Sequence, residues 1–314
     1  MRAAQVSQYG GPDVIQILDV PQPSVGPGQL LVRAHAVGVG PWDALIREGH
    51  SGVPQTLPLI PGSDVAGIVD VLGPGVTGFA VGDQVYGLTN GHFTGGYAEY
   101  AAVSTASMAR KPRNLSFIEA ASVPVVAVTA WQMLFDYARA VAGQKVLVLG
   151  AAGNVGAYAV QLARHAGLEV FATASSDDLD YIRALGAGIA IDYRHTRFED
   201  FTQAMDIVID TVGGDTRLQS LRVLKPGGIL VSAVYSPLPT EEAIRARVRA
   251  VTFIVNVTTA QLTTITSLFD SGKLAPQVGT VLPLADAQLA HRMLAGAPHP
   301  RGKIVLNLDL SENL

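Results

Sequence analysis

The passage from residue 146 to residue 156, VLVLGAAGNVG, constrains the fold of this 314-residue chain more than any other. Its first four residues are apolar and predict a buried parallel strand that ends at Gly150. Residues 151–156 follow the G-x-G-x-x-G spacing with alanine in the first position, and an apolar helix is predicted over 157–165. A second apolar strand is predicted over 169–173. This order of strand, glycine turn, helix and strand predicts a doubly wound α/β domain.

The glycine spacing has a chemical reason. Because Gly153 lacks a Cβ, its backbone can come close to a pyrophosphate, and Gly156 lets the helix pack tightly on the strand. The N-terminus of a helix also offers free N–H donors and the positive end of a dipole to phosphate groups. We therefore predict dinucleotide binding at this turn, the alternative being a structural turn without a ligand. The residues predicted to contact the pyrophosphate are Gly150, Ala151, Gly153, Asn154, Val155 and Gly156.

Composition excludes several classes of protein. Apolar residues make up 48% of the chain and charged residues 15%, which indicates a folded protein with a sizeable core. The formal net charge is −4 and no Lys/Arg block occurs, so neither a nucleic-acid nor a membrane partner is expected. The N-terminal segment lacks the layout of a signal peptide, and no apolar stretch is long enough to span a bilayer. We therefore expect a cytoplasmic protein.

The chain contains no cysteine, which excludes disulfides, a thiolate nucleophile, iron–sulfur clusters and a cysteine-ligated zinc. A zinc site built from histidine and carboxylate ligands remains possible in principle. The seven histidines show neither H-x₃-H nor HExxH spacing, however, so no catalytic metal is expected.

Two domains are expected from the chain length and from a change of pattern near residue 115. Before that point, short β-branched runs alternate with Gly/Pro turns, which predicts a partly open β-barrel. Helical residues are expected over 116–137, with Ser116 as N-cap and Glu119 completing a capping box. The predicted barrel strands are 14–20, 30–39, 65–72, 84–88 and 97–103.

The α/β pattern runs from about residue 120 to residue 258. After it, helices are predicted over 260–271 and 285–294, and a final strand over 303–308 is expected to rejoin the first domain. We therefore predict a first domain of residues 1–119 and 259–314, and a dinucleotide-binding domain of residues 120–258. The predicted strands of the second domain are 146–149, 169–173, 189–191, 206–210 and 229–234.

A series of short motifs runs along nearly the whole chain: GPDVIQI (11–17), IPGSDVAG (60–67), VGDQVYG (81–87), GGYAEY (95–100), AVTAW (127–131), GAAGNVG (150–156), IDYR (191–194) and LKPGG (224–228). In this order the motifs resemble those of the medium-chain dehydrogenase/reductase superfamily and, within it, the zinc-independent quinone oxidoreductases of the zeta-crystallin-like group.

The resemblance implies a GroES-like barrel domain, a Rossmann domain, an active-site cleft between them and a homodimer formed through the Rossmann sheets. It also implies a nicotinamide cofactor and a small-molecule carbonyl or quinone as substrate. Zinc-dependent members of the superfamily carry Gly-His-Glu where this chain has Gly62-Ser63-Asp64, together with a cysteine ligand that this chain lacks. The resemblance therefore also implies chemistry without zinc.

The end of the second Rossmann strand indicates which nicotinamide cofactor is used. NAD-specific folds place an acid there, whereas this strand ends in Thr173, Ala174, Ser175 and Ser176, whose hydroxyls could bind a 2′-phosphate. Tyr193 matches a family tyrosine near the adenosine phosphate, and Arg194 follows it. We therefore predict NADP(H).

Asp177 and Asp178 come directly after these serines, where many relatives of the family place lysine or arginine. One interpretation is that acids in the first turn of a helix complement the helix dipole. The other is that they weaken binding of the 2′-phosphate, so that NADH is tolerated.

The nicotinamide end is predicted from the family and from strand ends. Thr129 matches a family threonine beneath the nicotinamide. The carboxyl ends of parallel strands carry the ligand contacts, which places Val212 and Gly213 near the nicotinamide ribose and Val234 and Tyr235 near the carboxamide.

Hydride transfer requires a donor for the negative charge that develops on the substrate oxygen. The candidate catalytic residues are Trp42, Asp64, His92 and Lys303, each with a structural alternative. Trp42 is an aromatic wall of the substrate cleft or a core residue. Asp64 is an acid or a structural carboxylate, His92 a proton donor or a solvated loop residue, and Lys303 an active-site or a surface cation.

One family motif is altered. The Asn-Pro-x-Asp of relatives reads Gly40-Pro41-Trp42-Asp43 here, so that the polar contact of the asparagine cannot be carried over. Asp43 and Arg47 do match the family and are expected to tie this loop to the barrel.

The resulting prediction is an NADPH-dependent reductase of quinones or α,β-unsaturated carbonyls. Two alternatives stay open: a trans-acting enoyl reductase of secondary metabolism, and an NADPH-binding redox sensor with little turnover.

Overall fold

The structure is a computed structural model that describes residues 1–309, so that residues 310–314 of the predicted range 259–314 lie outside it. The chain divides into two compact units. The first comprises Met1–Val125 together with the chain from Asn256 onward, and the second comprises Val126–Val255.

The amino-terminal part of the first unit is a β-rich region that contains the short helix α1 (Pro41–Glu48) and is followed by α2 (Phe117–Ala121). Proline and glycine separate its strands, and β-branched residues fill them. The strands are β1 (Arg2–Val6), β2 (Ile15–Asp19), β3 (Gln29–Val39), β4 (Asp64–Leu72), β5 (Gln84–Leu88), β6 (Tyr100–Ser104) and β7 (Met108–Arg110).

The helical prediction for 116–137 is correct at its start and wrong in its continuity. Ser116 and Glu119 form the predicted capping box, with the Glu119 N–H donating to Ser116 Oγ at 3.2 Å. The helix then stops after α2, because Pro124 has no N–H to donate and disfavours helical geometry in the residue before it. A second helix, α3 (Pro124–Trp131), starts at that proline and passes into a π-helical turn, Gln132–Tyr137.

The second unit is a six-stranded parallel sheet with helices between its strands. Its helices are α4 (Asn154–His165), α5 (Leu179–Leu185), α6 (Gly214–Ser220) and α7 (Thr240–Ala246). Its strands are β8 (Lys145–Leu149), β9 (Glu169–Ala174), β10 (Ile189–Asp192), β11 (Met205–Asp210), β12 (Leu224–Ser232) and β13 (Arg249–Thr252).

The strand order of this sheet is β10-β9-β8-β11-β12-β13, in which the chain winds outward from β8 in both directions. The doubly wound fold is thus confirmed. In such sheets a ligand binds where the order reverses, outside the carboxyl ends of the strands. Here that point lies between β8 and β11, where Leu149 pairs with Asp210 and Asp210 with Ser232.

The chain then returns to the first unit through α8 (Thr259–Asp270), β14 (Val278–Pro283), α9 (Ala287–Leu294) and β15 (Lys303–Asn307). β15 pairs with β3, as predicted for the final strand. The larger sheet of the first unit has the order β14-β15-β3-β4-β5-β7, and β6 also pairs with β3, while β1 and β2 form a separate pair.

Several boundaries differ from the prediction. Strand β12 ends at Ser232, so Val234 lies in a loop, and β6 starts at Tyr100 rather than at Tyr97. Helix α4 begins at Asn154 instead of at residue 157, so the last three residues of the glycine motif form its first turn. A short 3₁₀ turn, Leu284–Asp286, precedes α9. Within residues 1–309, no helix has both the length and the hydropathy needed to cross a membrane.

Candidate active site

The predicted pyrophosphate turn joins β8 to α4. Gly150 has a φ of +73°, which an L side chain rarely adopts, and a Cβ on Gly156 would lie 2.3 Å from the Gly150 carbonyl oxygen. Both positions therefore require glycine. A Cβ on Gly153 would lie no nearer than 3.3 Å to any neighbouring atom, so the fold does not demand glycine at that position.

The amino end of α4 is open as an anion site. Gly153 is its N-cap and supplies no side chain to it, so the first N–H groups of the helix, from Asn154, Val155 and Gly156, have no capping side chain. The N–H of Ala151 donates to the Thr173 carbonyl at 3.0 Å, which ties the turn to β9. This cradle fits the diphosphate of a dinucleotide, because it combines free donors with the positive end of a helix dipole.

Both serines predicted to contact a 2′-phosphate hydrogen-bond to carboxylates. Ser175 Oγ lies 2.9 Å from Asp178 Oδ2, and Ser176 Oγ lies 2.7 Å from Asp192 Oδ2. Hydrogen bonds from Ser176 and from His195 lower the pKa of Asp192 to about 2. The segment predicted to bind the 2′-phosphate therefore lies among more carboxylates than the sequence pattern indicated.

Arg194 is the cation that faces this group of acids. Its guanidinium lies 3.8 Å from the Asp177 carboxylate and 6.0 Å from the ring centroid of the exposed Tyr193. Both partners of this pair are largely solvent-exposed, so the ion pair is weak and its guanidinium can turn toward an added anion.

The residues predicted for the nicotinamide end lie in the second unit. Val212 and Gly213 follow β11, and Gly213 has a φ of +79°. Val234 and Tyr235 follow β12, and the Tyr235 ring is largely exposed. Thr129 lies in α3 and is buried.

Sequence reasoning missed a buried ion pair beside these loops. Asp210 ends β11 and Arg217 lies in α6, with Asp210 Oδ2 2.7 Å from Arg217 Nε. The position of Asp210 at a strand end was a usable signal, because ligand contacts gather there. No local pattern pointed to Arg217.

In the first unit, Asp64 and Lys303 form a buried ion pair. Lys303 Nζ lies 2.9 Å from Asp64 Oδ2, and the Val125 N–H donates to Asp64 Oδ1 at 2.9 Å. Only 1% of Lys303 is exposed, so the alternative that it is a surface cation is wrong. Burial raises the pKa of Asp64 above its usual range, and the Lys303 ammonium opposes this rise.

Trp42 lies against this pair. The Lys303 ammonium is 4.2 Å from the centroid of the indole, and the indole Nε1–H donates to Ser63 Oγ at 2.9 Å. A Cβ on Gly40 would lie 2.4 Å from two atoms of the same indole. The Trp42 ring thus occupies the space that a side chain at position 40 would need, which explains why the asparagine of the family motif is absent here.

Asp43 caps α1 from within the core. Its Oδ2 accepts from the Gly40 N–H at 2.8 Å and from the Tyr97 hydroxyl at 3.0 Å, while its Oδ1 is buried without a hydrogen-bond partner among residues 1–309. Burial raises the pKa of Asp43 to about 7. Tyr97 is itself fully buried.

Asp43→Asn is expected to flatten the dependence of stability on pH. The folded state holds a proton on Asp43 up to about pH 7, whereas the unfolded chain loses it near pH 3.8, so wild-type stability falls as pH rises between these values. From pH 5 to pH 8 this amounts to about 3 kcal/mol at 1.36 kcal/mol per pKa unit. Urea unfolding of wild type and variant at both pH values measures it, with exposed Asp180→Asn as control. An equal slope in all three proteins would contradict the assignment.

Arg47 ties α1 to the rest of the first unit, as expected. Its Nε donates to the Gly10 carbonyl at 2.9 Å, its Nη1 lies 2.7 Å from His291 Nδ1, and it also pairs with Glu48. Burial and the nearby Arg47 charge lower the pKa of His291 to about 3. His291 is therefore neutral and accepts from the guanidinium.

His92 lies in the exposed loop between β5 and β6. Its Nδ1 is 3.2 Å from the Pro54 carbonyl, and its N–H donates to Asn90 Oδ1 at 2.9 Å. His92 is exposed, whereas the other two titratable candidates, Asp64 and Lys303, are buried.

The residues at the zinc position of the superfamily do not fit a zinc ion. Asp64 carries the Lys303 ammonium on one oxygen and a backbone N–H on the other, and Ser63 Oγ accepts the indole N–H. A cation already neutralises the carboxylate, and the chain has no thiolate to add. Among residues 1–309, no group of three or more His, Asp or Glu side chains is arranged to hold a metal ion.

Two family models match the chain. Residues 26–113 match the alcohol dehydrogenase GroES-like domain, and residues 185–306 match a model described as zinc-binding dehydrogenase. The first match confirms the GroES-like domain predicted for the amino-terminal region.

Curated relatives cover most of the chain. It is 35% identical to 2-methylene-furan-3-one reductase of Solanum lycopersicum, over 88% of this chain and 71% of that protein. It is 32% identical to the chloroplastic NADPH-dependent alkenal/one oxidoreductase of Arabidopsis thaliana, over 98% and 79%. It is also 32% identical to the quinone oxidoreductase of Mus musculus, over 98% of both chains.

Solved structures agree with the relatives. The quinone oxidoreductase of Coxiella burnetii superposes with a TM-score of 0.91 at 33% identity and covers 98% of this chain and 99% of its own. A mycobacterial protein solved in complex with NADPH superposes with a TM-score of 0.87 at 30% identity, over 98% and 100%. The chain therefore belongs to the quinone oxidoreductase group of the medium-chain dehydrogenase/reductase superfamily, whose members are oxidoreductases.

Proposed function

We propose that this enzyme binds NADP(H) and reduces a quinone or an α,β-unsaturated carbonyl without help from zinc. The observation that carries the proposal is the open amino end of α4 behind the glycine turn, at the point where the strand order reverses. The names of the relatives support the substrate class, and the NADPH-dependent relative and the NADPH-bound mycobacterial structure support the cofactor.

The second unit supplies the residues that would hold the nucleotide. The first N–H groups of α4 bind the pyrophosphate, Arg194 and Tyr193 contact the adenosine end, and Thr129 lies under the nicotinamide. The nicotinamide supplies a hydride to an electrophilic carbon when it is bound. The full set of proposed contacts is Thr129, Gly150, Ala151, Gly153, Asn154, Val155, Gly156, Thr173, Ser175, Ser176, Tyr193, Val212, Gly213, Val234 and Tyr235.

The first unit supplies the residues proposed for the substrate. Trp42 offers an aromatic wall rather than a proton, because its indole N–H already donates to Ser63. Asp64 is not proposed as an acid, because it is fully buried and its two oxygens already accept from Lys303 Nζ and from the Val125 N–H. The proton that follows the hydride therefore comes from solvent or from His92, whose side chain is exposed.

An acceptor panel tests the reaction. Chelator-treated enzyme and NADPH are mixed with quinones, enones and a crotonyl thioester, and oxidation of NADPH is followed for each. The proposal predicts turnover of quinones or enones well above that of the thioester. Turnover of the thioester alone would instead favour the enoyl reductase. NADPH binding without oxidation by any acceptor would favour a redox sensor.

The preference for NADPH over NADH is tested by comparing KM for the two. We expect a lower KM for NADPH, and a preference of tenfold or more for NADH would overturn this assignment.

Asp177→Asn should lower KM for NADPH and leave KM for NADH unchanged, because it releases Arg194 for the 2′-phosphate. Asp180→Asn is the matched control, because Asp180 lies three residues further on, in α5, and pairs with Arg183 instead of Arg194.

We also propose that the enzyme is a homodimer. Strand β13 forms one edge of the six-stranded sheet, and within residues 1–309 it pairs only with β12. Its outer edge could therefore pair with the same strand of a second copy. Sedimentation of the purified protein measures this directly, and a monomer at micromolar concentration would refute it. The cytoplasmic location expected from the sequence stays a prediction.

A further inference from the structure

In the second unit, the Arg217 guanidinium donates to the last residues of β11 and β12 and to the loop that follows β12. Arg217 is 2% exposed, and its Nε donates to Asp210 Oδ2 at 2.7 Å. Its Nη2 donates to Ser232 Oγ at 2.8 Å and to the Val234 carbonyl at 2.9 Å. Its Nη1 donates to Ser236 Oγ at 2.8 Å. One side chain of α6 thus holds the segment that follows β12.

The carboxylate partner holds the other loop. Asp210 Oδ1 accepts from the N–H groups of Val212 at 3.0 Å and Gly213 at 2.8 Å, while Oδ2 also accepts from Ser232 Oγ at 2.8 Å. The loop after β11 is therefore fixed by the same carboxylate that receives Arg217. The two loops are cross-linked through one buried, charge-assisted network.

We propose that Arg217 is a positioning residue for the nicotinamide end of the bound nucleotide, because it fixes the loops 211–214 and 233–237 relative to each other. This inference rests on the proposed function, which assigns Val212, Gly213, Val234 and Tyr235 to that end of the site. The backbone groups of Val234 are already used, since its N–H donates to Ser232 Oγ and its carbonyl accepts from Arg217. Its contact with the nucleotide is therefore made by the side chain, at a position that the network sets.

The network has no net charge, because the Asp210 carboxylate and the Arg217 guanidinium balance each other. The pair therefore orders the loops without adding net charge beside a ring whose own charge changes during hydride transfer. Lysine at position 217 would keep the charge balance but would lose the planar fork that reaches several acceptors at once. The geometry of the loops, rather than their charge, should therefore respond to this change.

The strand also provides a matched control. At its opposite end, Asp206 of β11 pairs with Lys225, far from the carboxyl ends where the ligand binds. Lys225→Met removes an ion pair from the same strand without touching the loops. Arg217→Lys and the milder Ser236→Ala are the test variants. Ser236→Ala removes one acceptor of Nη1 and leaves the Ser236 and Pro237 carbonyls, each 3.2 Å from Nη1, so we expect this variant to fold.

Three measurements separate positioning from folding. In Arg217→Lys we expect kcat with NADPH to fall about tenfold or more, since small misplacements of reacting groups are costly. Binding of adenosine 2′,5′-bisphosphate, which lacks the nicotinamide half, should stay within about twofold of wild type. Hydrogen exchange should accelerate at 211–214 and 233–237, and Ser236→Ala should show a smaller effect of the same kind.

A failure of the role assigned to Arg217 and a failure of the proposed function give different results. The role of Arg217 would be overturned if Arg217→Lys and Ser236→Ala had the same kcat, and the same hydrogen exchange in the two loops, as the control Lys225→Met. If Arg217→Lys does not fold, Ser236→Ala decides alone. A wild-type protein that binds no NADPH would instead refute the proposed function, and loop exchange in the unliganded variants would still report on the network.

Discussion

Gly153→Ala is expected to leave the protein folded and to weaken its binding of NADPH about 100-fold, close to 2.7 kcal/mol. A Cβ at this position meets the Gly150 carbonyl oxygen at 3.3 Å, which a small shift accommodates. Gly153 is the exposed N-cap of α4, so we expect the added methyl group to keep the proposed diphosphate away from the first N–H groups of the helix. Losing one or two hydrogen bonds to a charged group costs about 3 kcal/mol. Fluorescence titration with NADPH measures the loss.

Gly156→Ala is expected to behave differently. Its Cβ would lie 2.3 Å from the Gly150 carbonyl oxygen and 2.8 Å from the Ala151 Cα, so backbone must move apart and the unfolding temperature must fall. Gly188→Ala, whose Cβ meets an ordinary contact at 3.5 Å, is the control in the same unit.

Wild-type affinity for NADPH in Gly153→Ala would contradict the assignment of the diphosphate to this turn.

Lys303→Met is expected to destabilise the protein by about 3–5 kcal/mol at neutral pH, because it leaves a buried carboxylate without its partner. Asp64 is fully buried, and Lys303 is the charge that opposes the rise of its pKa. Without Lys303 the pKa of Asp64 rises further, so the folded protein takes up a proton at a higher pH. The destabilisation should therefore shrink as pH falls.

Unfolding in urea at pH 5 and pH 8 tests this, with exposed Lys273→Met as the control. The double variant Lys303→Met/Asp64→Asn should recover part of the lost stability, because it removes the unpaired charge. An equal loss at both pH values, or no recovery in the double variant, would show that packing of the lysine stem rather than its charge stabilises the site.

The α/β fold could be predicted from the sequence because its signals are local. An apolar strand, a glycine turn and a helix follow one another within residues 146–165, and each has a characteristic period or spacing. The strands β1, β7, β13 and β14 were not predicted. β13 has four residues and β14 contains a glycine and ends in proline, so neither stands out from its surroundings.

The site was predictable to the same extent. The pyrophosphate turn is contiguous in sequence, and the loops after β11 and β12 follow from the strand ends. The Asp64–Lys303 pair joins residues 239 positions apart, and no local pattern reports such a contact. Likewise, the hydroxyls of Ser175 and Ser176 were visible in the sequence, but the carboxylates that they contact were assigned by the fold.

The departure at Gly40 shows how one change explains another. From the sequence it is the loss of a polar side chain, whereas in the structure the Trp42 indole fills the space of that side chain. Ser63 and Lys303 hold the ring there. An asparagine at position 40 would therefore require a smaller residue at position 42, which makes the two positions a coupled pair.

Transfer of deuterium from NADPH to an enone shows whether this enzyme moves a hydride without zinc. Chelator-treated enzyme is given an enone and NADPH deuterated at the transferred position of C4, and the product is analysed by mass spectrometry. We expect one deuterium on the carbon β to the carbonyl, with the same yield before and after metal removal. A product without deuterium, or transfer that disappears with the metal and returns on adding zinc, would contradict it.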